Sequence, residues 1–498
     1  AGIASLAVCG AAGALLFGVT AASCGSDSKV KTGTGGSGMT GTGGNGMSST
    51  GGAGGLGGSD GTGGMGGTTT TACKDDKIPV NADIATDTTW ECNTYTLTKP
   101  IYIVGGATLT IAAGSTIFGA GSTDNPATLI ASREGKLVAV GTAERPIVFT
   151  SVFPAGMRVP GDSLAGVVLL GKATINNGTC QNDPNTATTT CETPGFRQGN
   201  IEGIPATELK GLYGGADDTH NCGELKYVRV EFAGFVIGDG NELNGITVAA
   251  CGSATKLSYL QVHRGFDDGI EFFGGTASVD HVVISGSTDD GLDWDNGWRG
   301  KAQFVIVHQA YGKGDKGFEA DNLGGAETSE PRSNAEIWNA TLIAESPSTK
   351  IGMHLREGLR GKFRNLIVLN FGGGALDEDA AMVVPATEWP TYVSIENSVF
   401  FGGPLGKDET TVATMNNDMG FDETMALSDA ARMNTTVDPM LGSTVIATPN
   451  YVPGNAAAVS GKATPTGAGL DTTATYAGAV APGATELWYA GWTKFPEN

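Results

Sequence analysis

The chain has 498 residues, 79 of them Gly, and its 30 basic and 52 acidic side chains leave it at −22. A hydrophobic content of 40% is enough for a sizeable core and excludes wholesale disorder. The acid excess argues against nucleic acid as a partner, because a polyphosphate would be repelled.

The opening stretch, residues 1–22 (AGIASLAVCGAAGALLFGVTAA), carries no charge and runs into Ser23-Cys24. It reads either as a membrane-spanning anchor or as a signal peptide removed at Cys24, with that cysteine lipidated. No basic leader precedes the apolar run, so the sequence is read as starting part-way into the signal. The polar residues from Gly25 onward favour cleavage. Residues 1–23 are therefore expected to be signal, and 24–72 a lipidated cysteine followed by a tether. Of the glycines, 19 fall in residues 31–70, and ~40 such residues span roughly 35 Å as a flexible coil. The expected location is the outer face of a bacterial outer membrane, with the membrane touched through the lipid alone.

Six cysteines remain after Cys9 and Cys24: Cys73, Cys92, Cys180, Cys191, Cys222 and Cys251. An even number in an exported chain reads as disulfides. Neighbour pairing (73–92, 180–191, 222–251) is the economical choice among the open connectivities.

From about Val80, short β-branched runs alternate with Gly, Asn, Asp and Thr clusters, as in TLTIAAGSTIFGAG and KLVAVGTAERPIVFTS. The runs LSYLQV (257–262), VDHVVI (279–284) and AQFVIV (302–307) repeat at offsets of 22 and 23 residues. KFRNLIV (362–368) and VSIENSVF (393–400) read as further copies. Each coil is followed by a second signal: Asp267-Asp268-Gly269-Ile270-Glu271, Asp289-Asp290-Gly291-Leu292-Asp293 and Asp315-Lys316-Gly317-Phe318-Glu319. A propeller blade would need ~40–50 residues per repeat. The period predicts an all-β chain, a right-handed parallel β-helix over 73–404. Residues 405–498 are expected to form final coils and a cap, with a helix at Asp418–Arg432 and Trp488, Trp492 and Phe495 closing the last coil.

The strings AVGTAERPIVFTS, VLLGKATIN, LKYVRVEFAG, DDGIEFFGG, DDGLDWDNGWRGKAQF and the closing GWTKF resemble a broad family of bacterial surface-exported β-helix proteins and lipoproteins. That resemblance covers residues 78–495 and implies fold and location; the family has no assigned molecular function, so no catalytic residue comes with it. The architecture is loosely similar to that of pectate lyases and polygalacturonases.

In such a solenoid equivalent positions stack at about 4.8 Å. With Ile270, Leu292, Phe318 and Met353 inward, Thr247, Glu271, Asp293, Glu319 and His354 form one outward column. Phe273, Asp295, Asp321 and Arg356 form a second, and Asp267, Asp289 and Asp315 a third at the turn, beside Asp268 and Asp290. Like charges ~5 Å apart at an effective dielectric near 20 cost about 3 kcal/mol per pair. A bound cation, raised pKa values, or salt bridges from Lys316, Arg299 and Arg356 must offset this.

Three chemistries follow. Calcium suits several acids from adjacent coils, with Asp267, Asp268, Asp289, Asp290, Asp295, Asp315 and Asp321 as ligands. A calcium-bridged uronate with Lys316 or Arg356 as base would make a lyase. Two carboxylates such as Glu271 and Glu319, about 9–10 Å apart by coil stacking, would suit an inverting glycoside hydrolase. The Asp pairs, His354 and Arg356 echo polygalacturonase logic, although the literal Asn-Thr-Asp, Gly-His-Gly and Arg-Ile-Lys motifs are missing. Phe273, Trp294 and Trp298 would be sugar platforms or coil core, with Arg299 beside them. The plainer reading is that Asp-Asp-Gly is repeated turn chemistry, Gly taking positive φ, with structural calcium at most. The function expected is therefore a surface β-helix, a monomer, that engages polysaccharide along an acidic calcium-binding face, with or without cleavage. Its rival is a non-catalytic adhesion or envelope protein. Gly166–Ala173 nearly spells a phosphate loop, but its apolar interior reads as a buried strand.

Overall fold

A computed structural model describes residues 72–122, 125–180, 197–238, 241–310, 312–346, 348–379, 389–407 and 421–498. The signal segment, Cys24, the glycine tether and Cys191 lie outside the described residues. Among the described residues no helix is long and apolar enough to cross a membrane.

The coils stack their strands into two parallel sheets. In the middle of the solenoid one of them, the short sheet, runs Ile246–Ala249, Ile270–Phe273, Leu292–Asp295, Lys316–Ala320, Ile351–Leu355 and Gly374–Glu378. The long sheet runs Gly223–Glu231, Lys256–His263, Ser278–Ser285, Lys301–Gln309 and Asn334–Ala344. The register pairs Leu257 with Val279 and Val279 with Ala302, the alignment the repeat predicts. Ile270, Leu292, Phe318 and Met353 point inward and are fully buried. This is the parallel β-helix expected from the sequence.

The long strands bend at single residues of positive φ, stacked coil upon coil: Tyr227, Tyr259, His281, Phe304, Asn339, Asn365 and Asn397. Asn tolerates the left-handed region; a bulky residue there costs roughly 1–2 kcal/mol. Ring stacking offsets that cost, with centroids 4.4 Å apart for Tyr227–Tyr259 and 4.3 Å for Tyr259–His281.

Two disulfides, Cys73–Cys92 and Cys222–Cys251, have the neighbour pairing expected. Between Leu164–Leu170 and Ile246–Ala249 the chain leaves the solenoid twice, before and after the long strand Gly223–Glu231. There it builds antiparallel pairs, Arg197–Asn200 with Leu212–Tyr213 and Phe235–Gly238 with Asn241–Leu243. The repeat gives no hint of either insertion.

Two expectations at the C-terminus are corrected. The helix is shorter, Glu423–Ser428 followed by a 3-10 turn at Ala430–Arg432, because Asp422 caps it by accepting from the Met425 amide. Phe421 and Leu427 join the core there. Trp488, Trp492 and Phe495 do not close the last coil. The final segment instead runs back along the bend of the long sheet as a strap. Asn365 holds Ala463, Asn339 holds Ala474 and Tyr476, and Gln303 holds Asp471. Further on, Gln261 holds Lys494 and His263 meets the Pro496 carbonyl.

Candidate functional site

The site is built from the turn-to-strand segments of the short sheet. Gly269 and Gly291 do not take positive φ, so that part of the turn reading is corrected. They are glycines because the next coil crowds them: a Cβ would lie 2.7 Å from the Gly291 carbonyl oxygen at Gly269, and 2.5 Å from that of Gly317 at Gly291. The second aspartate of each pair ties coil to coil. Asp268 Oδ1 accepts the Asp290 amide at 2.8 Å, and Asp290 Oδ1 accepts the Lys316 amide at 2.7 Å. Asn244 continues this ladder, accepting the Asp268 amide.

The register sets Thr247, Glu271, Asp293, Glu319, His354 and Asp377 in one column on the face turned away from the core. Phe273 and Asp295 share the second column, and Asp321 and Arg356 follow their strands on the same side. The column is not open surface: Glu271, Glu319 and His354 are buried, whereas Asp293, Asp295, Asp289 and Asp267 are half-buried.

The two ends of this column differ in charge balance. Toward the C-terminal coils cations interleave with the acids. Lys316 lies 2.8 Å from both Asp315 and Glu319 and 3.7 Å from Asp290. Arg356 grips Asp321 with two bonds of 2.7 and 2.5 Å and reaches Glu319 at 3.1 Å. His354 bridges Glu319 at 3.2 Å and Asp379 at 2.7 Å, and Lys407 lies 2.8 Å from Asp377. Burial alone would raise Glu319, but the His354 hydrogen bond and the Arg356 and Lys316 charges hold it well below the usual carboxylate range. Burial would lower Lys316 and His354, yet their acidic neighbours raise both. Asp321 is pushed up by burial despite its two bonds to Arg356.

Toward the N-terminal coils, among the described residues, no cation pairs with Asp267, Asp268, Glu271 or Asp293. Asp268, Glu271 and Asp293 bring carboxylate oxygens within 4.8 Å of one another, as do Asp267, Asp268 and Asp289. Burial, then mutual repulsion, raises Asp268, Glu271, Asp293 and Asp295 well above their ordinary values. Asp267 is pushed up to about 8 for the same reasons. Glu202, from the first insertion, hydrogen-bonds Glu271 and Asn244 and is also pushed up to about 8, chiefly by burial. The Oδ1 atoms of Asp293 and Asp295 and the fully buried Thr247 hydroxyl have no hydrogen-bond partner among the described residues. Orphaned oxygens among crowded carboxylates are the donor set of a hard cation.

Several sequence expectations are corrected here. Lys316 is locked as an ammonium in three ion pairs, and Arg356 is engaged by Asp321 and Glu319, so neither is placed as a free base. Trp294 and Trp298 are fully buried, their rings 5.5 Å apart inside the coil, and offer no platform to a sugar. Phe273 lies under Tyr213 of the first insertion at 6.1 Å. Arg299 pairs with Asp218 at 3.2 Å and bonds Thr174, not the acid column. His263 and His308 are buried, hydrogen-bonded to the C-terminal segment, and lowered to about 4 by burial.

Sequence reasoning missed Glu202, Asp377 and Asp379. Asp377 was recoverable, since Gly374-Ala375-Leu376-Asp377 repeats the small–apolar–acid order; Glu202 carries no repeat to mark it.

Arg356→Leu should strip the counter-charge from buried Asp321 and Glu319 and cost about 3–5 kcal/mol. A urea melt at pH 7 measures it; a loss under about 1 kcal/mol, the worth of an exposed pair, contradicts the pairing described.

With two parallel sheets, an acid column at the turns and an outward face, comparison with family models is decisive: the pectate-lyase like beta helix domain matches residues 82–444. The chain belongs to that family. The matched span of this pectate-lyase-like β-helix takes in both sheets and the whole acid column, and ends before most of the strap. No curated protein and no solved structure matches the chain.

Proposed function

We propose that this pectate-lyase-like β-helix is an exported surface protein whose acid column holds calcium, and that the cation presents its open coordination positions to a polysaccharide without cleaving it. One observation carries this reading: Asp293 brings a carboxylate oxygen within 4.8 Å of those of Asp268 and Glu271, and its Oδ1 is buried with no hydrogen-bond partner among the described residues. Thr247, Glu202 and the Asp267–Asp289 pair extend the same oxygen set. Bound calcium would supply positive charge to that end of the column and a Lewis-acidic contact for a glycan carboxylate or hydroxyl. The residues' own roles are to hold it and to keep the insertion docked through Glu202. Cleavage is disfavoured because Lys316 and Arg356 are engaged and the aromatics are inside the coil. Residues 1–23 as signal, Cys24 as lipid anchor and the Gly-rich tether would hold the β-helix clear of an outer membrane.

Incubation of residues 73–498 with acidic and neutral polysaccharides, with calcium or chelator, tests the reading. Calcium-dependent retention of a glycan with unchanged chain length is expected. Calcium-dependent shortening, with unsaturated or reducing ends, would make the protein an enzyme; no retention of any glycan with calcium removes the binding role.

A further inference from the structure

A second groove lies away from the acid column, on the long sheet where the strap crosses it. Its cavity of about 310 Å³ is floored by four successive coils, which at the inter-strand spacing extend roughly 14 Å along the axis. Lys226, Lys256 and Lys301 line it, against the two acids Glu224 and Asp280. Lys226 makes no ion pair among the described residues, and its ammonium lies 5.7 Å and 5.8 Å from the Tyr227 and Tyr259 ring centres. Lys256 is well exposed and only 3.4 Å from Glu224. An exposed pair of this kind is worth at most ~1 kcal/mol, so another anion can exchange for it. Lys301 donates to the Ala468 carbonyl at 3.3 Å, where the strap forms the groove's lip. Gly467 beside it takes φ +126°, a backbone conformation that favours glycine.

We propose that this groove binds an anionic sugar of an extended glycan, its carboxylate or sulfate received by Lys226 and Lys256. In a chain of net −22 an anionic polymer is repelled broadly and settles where ammonium groups gather. The cavity sits at the small end of ligand pockets, suited to one or two sugar units. Its polar walls, with the Ser258 and Ser278 hydroxyls, suit a hydroxylated ligand over an apolar one. The site differs from the calcium column in residues and in sheet, and its behaviour does not depend on that column's reading.

The test measures binding of the full chain to an oligogalacturonate, a sulfated oligosaccharide and a neutral glucan of equal length, with calcium and with chelator. Wild type and Lys226→Gln/Lys256→Gln are compared, with Lys362→Gln, a lysine outside the groove, as control. The expected result is binding of at least one anionic ligand in chelator, weakened tenfold or more by the double substitution and by added salt, with the control unchanged. Uronate and sulfate are distinguished by which oligosaccharide binds. Equal binding by the double variant overturns the proposal, as does no anionic binding in chelator. Binding seen only with calcium and unaffected by the lysines would assign the sugar to the acid column instead.

Discussion

In chelator, raising the pH from about 5 to 8 should destabilise the protein, and calcium should remove most of that loss. The carboxyls of Asp267 and Glu202 are pushed up to about 8, and Asp268, Glu271 and Asp293 are raised well above their ordinary values. Unfolded, these groups ionise near pH 4. Between that value and their folded ones the native state binds more protons than the unfolded chain. Stability is therefore greatest at low pH within this window and falls as pH rises, by roughly 1.4 kcal/mol per pH unit for each proton retained. Glu319 opposes the trend, because its folded value is depressed and its contribution is lost only in stronger acid. A cation competes with the protons for the same oxygens, so calcium should flatten the profile. Asp293→Asn should raise the melting temperature in chelator at pH 8 and abolish the response to calcium. A melting temperature that rises from pH 5 to 8 in chelator contradicts this account of the column.

Removing the strap should be the most damaging change away from that column. Trp492 is fully buried against Tyr227 and Tyr259, with centroids 5.7 and 6.2 Å away, and its carbonyl accepts from Arg229 at 2.9 Å. These tyrosines occupy the left-handed bend, so the strap covers the part of the coil whose backbone is least favourable. Trp492→Ala should cost about 3–5 kcal/mol through the cavity it leaves. Truncation after Thr485 should also strip the Lys494 and Pro496 partners from Gln261 and His263. Hydrogen exchange should then quicken in Gly223–Glu231 and Lys256–His263, far from the cut in sequence. Exchange altered only within the last coils would assign the segment a capping role instead.

The parts of this molecule that repeat were the parts legible in its sequence. Leu257, Val279 and Ala302 fall into register because every coil must bury the same positions. The column from Thr247 to His354 follows from the alternation of side chains along each strand. What the repeat could not show is whatever lies across it. Glu202 reaches Glu271 from an insertion of unrelated sequence, and its placement depends on tertiary packing. Trp294 and Trp298 follow the acid motifs, yet both are inside the coil: alternation along Leu292–Asp295 turns Trp294 inward, and Trp298, beyond the strand's end, stacks on Phe272. The glycines of the Asp-Asp-Gly signal were read through local turn chemistry, whereas contact with the next coil decides them. The strap was read as a cap because its aromatic residues carry no period; long-range partners such as Asn339 and Gln303 fix its path.

The most direct test of a cation at the N-terminal end of the column is equilibrium dialysis of residues 73–498 against labelled calcium at about pH 8.5, above the value of about 8 to which Asp267 and Glu202 are pushed. The protein should retain at least one calcium per chain, lose it in Asp293→Asn, and keep it in Asp377→Asn, which lies at the end where Lys407 and His354 pair with it. No retained calcium, or equal retention in Asp293→Asn, would contradict the assignment.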